Sequence, residues 1–443
     1  MDKKTSRRSF LSLAVLTPLA AWGLSACGTA GPGGGSSASA GSATMWSLSG
    51  QPNEGLRKDT VDAFNKANPD SQIKLTFFQN DAYKTKIKTA IGAGEAPTII
   101  FGWGGGGLKT YAQAGQVIDL TSWFADNPKV KEKLFPSSFG AATVNGKIYA
   151  LPTENVAPII FFYNKDLFAK AGAQPPKTWD DLMALAKTFN DMGVAPISLG
   201  GQSRWTSMMW LEYLFDRIGG PEVFNAIFAG KANAWSDPAA IEALTKIQDL
   251  VSANGFIKGF SSITADSNAD QALLYTGKAA MMLHGAWTYG SMKSDGGDFV
   301  TGGKLGWVNF PTVSGGKGDP KNTTGNPGQY LSISSKASEA EQTTAKKYFA
   351  EGLRTDAEID SWIKNGQVPI VTGIEDKLAA TPDKDFLTYV YNLAKNAPNF
   401  QQSWDQALSP TAAEALLNNI DQLFTKSITP QQFATNMNAT LGQ

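Results

Sequence analysis

Cysteine and histidine are almost missing: the 443-residue chain has one of each, Cys27 and His284. A lone cysteine excludes an internal disulfide, and one cysteine with one histidine cannot assemble a zinc site of the usual kind. Haem and iron–sulfur ligation draw on the same two residue types and are equally poorly served. No charge of one sign dominates either, because 39 Lys plus Arg face 39 Asp plus Glu, so nothing calls for nucleic acid. No cofactor or metal is expected. What is present is 42% apolar and 11% aromatic residues, enough for two or three domains or one large two-lobed unit.

The basic residues are unevenly placed. Lys3, Lys4, Arg7 and Arg8 precede an apolar run, Phe10 to Leu24, broken at Ser12, Thr17 and Pro18. That order is a signal peptide, too short for a membrane span. Ser6-Arg7-Arg8-Ser9-Phe10-Leu11 resembles the twin-arginine export motif, and Leu24-Ser25-Ala26-Cys27 resembles a bacterial lipobox, whose cysteine carries lipid. The expected arrangement is a leader over 1–27, a lipid on Cys27 and residence on the outer face of the cytoplasmic membrane. Residues 28–43 hold only Gly, Ser, Ala, Thr and one Pro and read as a flexible tether. The folded body is expected from Thr44.

From there to about Pro152, short strands alternate with helices: 44–48, 73–78 and 98–101 read as strands, 53–66 and 83–91 as helices. Such an order implies parallel pairing, with ligands outside the carboxyl ends of the strands. Further on, 179–191, 205–218, 238–253 and 268–277 read as helices, and 195–199, 279–283 and 330–334 as strands. Residues 302–321 look like a crossing segment, and the last hundred residues look almost wholly helical.

Asn145-Gly146-Lys147-Ile148-Tyr149-Ala150-Leu151-Pro152, then Phe162-Tyr163-Asn164-Lys165-Asp166-Leu167-Phe168, then Pro176-Lys177-Thr178-Trp179-Asp180-Asp181-Leu182 resemble the solute-binding proteins of ABC sugar importers, the maltose-binding-like group. Gly94-Glu95-Ala96-Pro97-Thr98, Gly277-Lys278-Ala279-Ala280-Met281 and His284-Gly285-Ala286-Trp287 extend the resemblance over the chain after residue 44. Within that group it is most similar to actinobacterial xylobiose- or xylo-oligosaccharide-binding lipoproteins. The resemblance implies an α/β fold of two lobes, each a mainly parallel sheet flanked by helices. Lobe one would be 44–154 plus 312–364 and lobe two 155–311 plus 365–443, with crossings near Asn155, Phe310 and Gln367. It also implies a monomer that captures a small oligosaccharide and delivers it to the transmembrane subunits of a permease. Cellobiose, chitobiose and malto-oligosaccharide are alternative ligands within that class. Thr178 reads as a helix N-cap with Asp181 three residues on.

Sugar rings have an apolar C–H face and a rim of hydroxyls, so their sites combine flat aromatics with short polar side chains. Trp103, with Gly104 beside it, follows a strand, and Trp205, Trp287 and Trp404 also stand at or beyond element ends. Trp179, Trp210 and Trp307 read as core or cap. Plain packing stays open for each of the four candidates. The resemblance adds weight to Trp205, Trp287 and Trp404, which match positions of sugar-stacking aromatics in the family. Gln51, Asn80, Asn155 and Gln329 are the amides expected at the cleft, with turn chemistry as the alternative. Asp405 can accept from sugar hydroxyls or serve a helix start.

Gly102 to Gly107 matches G-x-G-x-x-G, but Trp103 would crowd a diphosphate, so these glycines are read as admitting a sugar or the opposing lobe. His284 reads as core. A secreted glycoside hydrolase is the competing class, but it needs paired carboxyls. The candidate loop ends carry amides and Trp, with Glu54, Glu154 and Asp405 as the available acids.

The N-terminal reading is directly testable. Cys27→Ala should move the protein from the membrane to the soluble fraction or stall removal of its leader. Unchanged fractionation would refute the lipid anchor.

Overall fold

The computed structural model describes residues 41–442; the expectations for Cys27 and for residues 1–40 lie outside them. Among the described residues, strands in chain order are β1 Ala43–Leu48, β2 Ile73–Phe78, β3 Ile99–Gly102, β4 Thr143–Val144, β5 Lys147–Ile148, β6 Leu151–Thr153 and β7 Ala157–Asn164. They continue with β8 Ala195–Ser198, β9 Ala279–Gly285, β10 Leu305–Val308, β11 Thr323–Asn326, β12 Gln329–Ile333 and β13 Phe400–Gln402. One sheet runs β2-β1-β3-β12-β6, the other β13-β11-β7-β9-β8 with β10 also on β7. These sheets define two lobes.

Local sequence explains most elements. The helix Trp179–Asp191 buries Trp179, Leu182, Leu185, Ala186 and Phe189 on one face, and Thr178 and Asp181 form a capping box at its start. The strand β1 alternates buried and half-buried residues, whereas β9 is buried throughout because both its faces are covered. In β7 the period of two sends Ile160 and Phe162 into one hydrophobic cluster and Ile159 and Phe161 into the other. Among the described residues no helix is long and apolar enough to cross a membrane.

Several expectations need correction. The pairing is mixed rather than mainly parallel: β1 is parallel to β2 and β3, but β12 is antiparallel to β3 and β6. In the second sheet β7 is antiparallel to β9, β10 and β11. Residues 302–321 are not a crossing, since they contain β10, and Phe310 is buried between Phe161, Trp210 and Tyr213 of the second lobe. The chain instead returns to the first lobe between Asn326 in β11 and Gln329 in β12. Residues 312–326 therefore belong with lobe two. The C-terminal stretch also adds one strand, β13. Residues 41–43 are not tether: the Ala43 N–H donates to the Gln72 carbonyl, and Thr344 Oγ1 donates to the Gly41 carbonyl.

The first crossing passes through Glu154, Asn155 and Val156, from β6 to β7. The third follows the helix Asp356–Lys364, where Val156 N–H donates to Val368 O and Ile370 N–H to Glu154 O. Asn155 Nδ2 donates to Gln367 Oε1 at 2.8 Å, tying these crossings side chain to side chain. Glu154 has φ of 62°, and Arg57 holds its carboxylate with two charge-assisted bonds of 2.8 and 2.7 Å.

Both members of this pair are buried. Removing the guanidinium would strand a carboxylate inside the protein, so Arg57→Met is expected to cost about 3–5 kcal/mol. Denaturant midpoints measure it; a loss well below that range would show that Glu154 reaches solvent.

Candidate functional site

The carboxyl ends of β1, β2 and β3 face the loops after β8 and β9 across a cavity of about 180 Å³. Of the expected residues, Gln51, Asn80, Trp103, Asn155, Trp205, Trp287, Gln329 and Asp405 line it. Gly104 and Trp404 do not. The lining also includes residues that the sequence did not place at the cleft, among them Arg57, Lys84, Asp266, Gln271, His284 and Asn326.

Trp205, Trp287 and His284 form one corner. The indole centroids are 6.1 Å apart, and the imidazole stands edge-on to both at 5.4 Å. His284 Nδ1 accepts from the Gly285 N–H, and Nε2 lies 3.2 Å from Asp270 Oδ2. His284 is core, as expected, yet its ring also walls the two tryptophans. The signal was its spacing: His284 and Trp287 flank Gly285 and Ala286. A Cβ on Gly285 would fall inside the Trp287 ring, so glycine there permits the indole to lie against the strand end. Gln367 Nε2 donates to the Trp287 carbonyl at 3.1 Å, linking this corner to the crossing at Asn155.

Polar atoms around the cavity are short of partners. Asn53 Oδ1, Asp266 Oδ1, Gln271 Oε1, Asn326 Oδ1 and Gln329 Oε1 are buried without a protein hydrogen bond, and so are Trp205 Nε1 and His284 Nε2. Buried polar groups ordinarily find a partner. Five of these seven are acceptors, which suits a ligand rich in hydroxyl donors.

The lobes touch directly. Lys84 Nζ lies 3.1 Å from Asp405 Oδ2, the Asp81 N–H donates to Asp266 Oδ2, and Gln402 Nε2 donates to the Trp103 carbonyl. A Cβ at Gly104 would overlap the Ala141 carbonyl, and one at Gly106 the Leu408 carbonyl. The glycine run admits protein backbone, and at Gly106 that backbone comes from the opposing lobe. Burial, reinforced by the Asp266 carboxylate, raises the Asp81 carboxyl above its ordinary range. Lys84 also stands 5.1 Å from the Trp103 ring centre, while Tyr83 and Phe101 meet that ring edge-on.

Trp404 is corrected from cleft to core. It is 1% exposed, packed against Phe224, Phe215 and Trp235 with centroids 4.7, 5.1 and 5.6 Å away. Its backbone N–H donates to Glu212 Oε1, and Thr324 Oγ1 donates to Glu212 Oε2. Trp404 thus anchors the turn that presents Asp405. Among the described residues no three His, Cys, Asp or Glu side chains are grouped to hold a metal ion.

Residues 49–359 match the model of the bacterial extracellular solute-binding protein family. The chain spans about half the length of several curated relatives, among them an uncharacterized ABC transporter extracellular-binding protein of Pyrococcus horikoshii. That match is 27% identical over 257 residues, 55% of each chain. A solved structure from work on xylan utilization by Caldanaerobius polysaccharolyticus is 33% identical with a TM-score of 0.81, covering 90% of this chain and 100% of the other. A chitin oligosaccharide binding protein is 25% identical with a TM-score of 0.80, covering 90% and 98%.

Glu212 makes stability depend on pH. Burial raises its carboxyl from 4.5 to about 8, so the folded state holds a proton that the unfolded state releases at lower pH. Its stabilising contribution is complete below pH 4.5 and is lost as pH rises to about 8. Glu212→Gln is therefore expected to melt progressively higher relative to wild type across that window, by roughly 1 °C per kcal/mol in a chain of this length. Parallel melting curves at all pH values would contradict this.

Proposed function

The chain belongs to the bacterial extracellular solute-binding protein family, and on that premise we propose that it is the receptor of an ABC sugar importer. It captures a short oligosaccharide, xylobiose or a xylo-oligosaccharide, between its lobes and presents it to the permease's transmembrane subunits. It acts as a monomer held at the membrane by lipid on Cys27. The observation that carries this reading is the Trp205–Trp287 corner bordered by acceptor atoms without partners. Indoles supply faces for C–H surfaces, and the acceptors wait for hydroxyls. The likeness to a structure from work on xylan utilization supports the xylo-configured choice. Asn155 and Gln367, bonded at the crossings, couple the closing of the lobes to Trp287.

Titration calorimetry with xylobiose, cellobiose, chitobiose and maltose tests it. Wild type should bind xylobiose without releasing product. Trp205→Ala and Trp287→Ala should each weaken binding by about tenfold, in line with roughly 1–3 kcal/mol per stacked ring, with little change in melting. Trp404→Ala should instead lose about 3–5 kcal/mol of stability. Unaltered affinity in both cleft variants, or turnover of the sugar, would overturn the reading.

A further inference from the structure

The cleft does not end at the Lys84–Asp405 pair. Beyond it lies a second cavity of about 510 Å³, larger than the 180 Å³ of the first. On one side stand the helix Asn80–Ala93 and the glycine-rich start of the helix Gly105–Gln113. On the other stand Gln202 to Arg204 and the helix Pro410–Phe424. The two cavities share Lys84, Trp103, Trp205, Asp405 and Gln406. What divides them is therefore a set of side chains.

The dividing ammonium is placed where it competes with a sugar. Lys84 Nζ sits 5.1 Å from the Trp103 ring centre and 3.1 Å from Asp405 Oδ2, covering a surface on which a C–H face would stack. Its side chain is 23% exposed, and a lysine stem is flexible enough to swing aside. Only the lysine is partly exposed, and Asp405 is buried, so the ammonium can leave only where another donor takes its place on the carboxylate. Sugar hydroxyls can replace the ammonium at Asp405. Past this point Tyr111 adds an aromatic surface, and Lys88 and Glu414 add polar groups.

We propose that the second cavity is a further saccharide-binding compartment, joined to the first when Lys84 leaves the Trp103 face. The preferred ligand is then a linear oligosaccharide of three or more units rather than a disaccharide. This rests on the carbohydrate-capture reading and adds chain length to it.

Two substitutions address this compartment alone. Gly107 lines the second cavity and not the first, and a Cβ there would meet nothing within 4 Å. As an interior helix position it gains helix propensity on replacement, so Gly107→Phe fills the space without straining the fold. Thr85→Trp does so from the exposed face of the other helix. Calorimetry compares di-, tri- and tetrasaccharides of the xylo, cello, chito and malto series with wild type and both variants. In the series that binds, wild type should favour the longer chains over the disaccharide by about tenfold. Both variants should erase that gain and keep the disaccharide affinity. Equal affinity for all lengths in wild type, or variants that bind long chains as wild type does, would overturn the compartment while leaving sugar capture intact. Binding of no series would remove both readings.

Discussion

Much of the cleft depends on one buried ion pair. Arg57 grips both carboxylate oxygens of Glu154 and uses Nη1 to hold the carbonyl of Leu48, the last residue of β1. Glu154 occupies the left-handed region, where a side chain other than glycine is strained unless its surroundings hold it. Its carbonyl accepts from Ile370, so the same residue joins the first crossing to the third. One guanidinium therefore fixes the turn into the second lobe and the loop that carries Gln51. Lysine, a point charge without the planar fork, could not make these three bonds in that geometry.

From the crossings the constraint passes to the aromatic corner through amides. Asn155 donates to Gln367, and Gln367 donates to the carbonyl of Trp287. Trp287 lies against the bare backbone of Gly285, and His284 buttresses both it and Trp205. The rings cannot be re-aimed without disturbing the segment about which the lobes would turn. Positioning through locked supporting side chains is what a binding surface needs if closing is to assemble it.

Local signals were legible in the sequence and remote ones were not. The helix Trp179–Asp191 has the predicted bounds because its cap and its apolar spacing lie within fourteen consecutive residues. The strand β11 reads Thr-Thr-Gly-Asn, with no apolar alternation, and exists because it pairs with β7 and β13, both distant in sequence. The expected crossing near Phe310 therefore precedes the one in the structure, between Asn326 and Gln329. Among the tryptophans, standing at an element end identified Trp205 and Trp287 as cleft residues and misplaced Trp404. Element ends point toward the core as well as toward the cleft. What decides for Trp404 is Glu212, on a helix far earlier in the chain, which takes its N–H.

The charge pattern of the cleft narrows the ligand further. Asp81, Asp266 and Asp405 meet where the lobes touch, and Lys84 bonds one of them. The atoms there and nearby that lack partners are mainly oxygens. An anionic ligand in the first cavity would face carboxylates and carbonyl-type acceptors at a desolvation cost, because Arg57 is already bonded to Glu154 and Lys84 to Asp405. A neutral polyol donates to those same oxygens without adding charge. Closing the lobes over such a ligand replaces lost water with hydroxyls, and closing them over nothing leaves buried acceptors unsatisfied. On the proposed reading, selectivity for an uncharged, hydroxyl-rich ligand and dependence of closure on that ligand would share one physical cause.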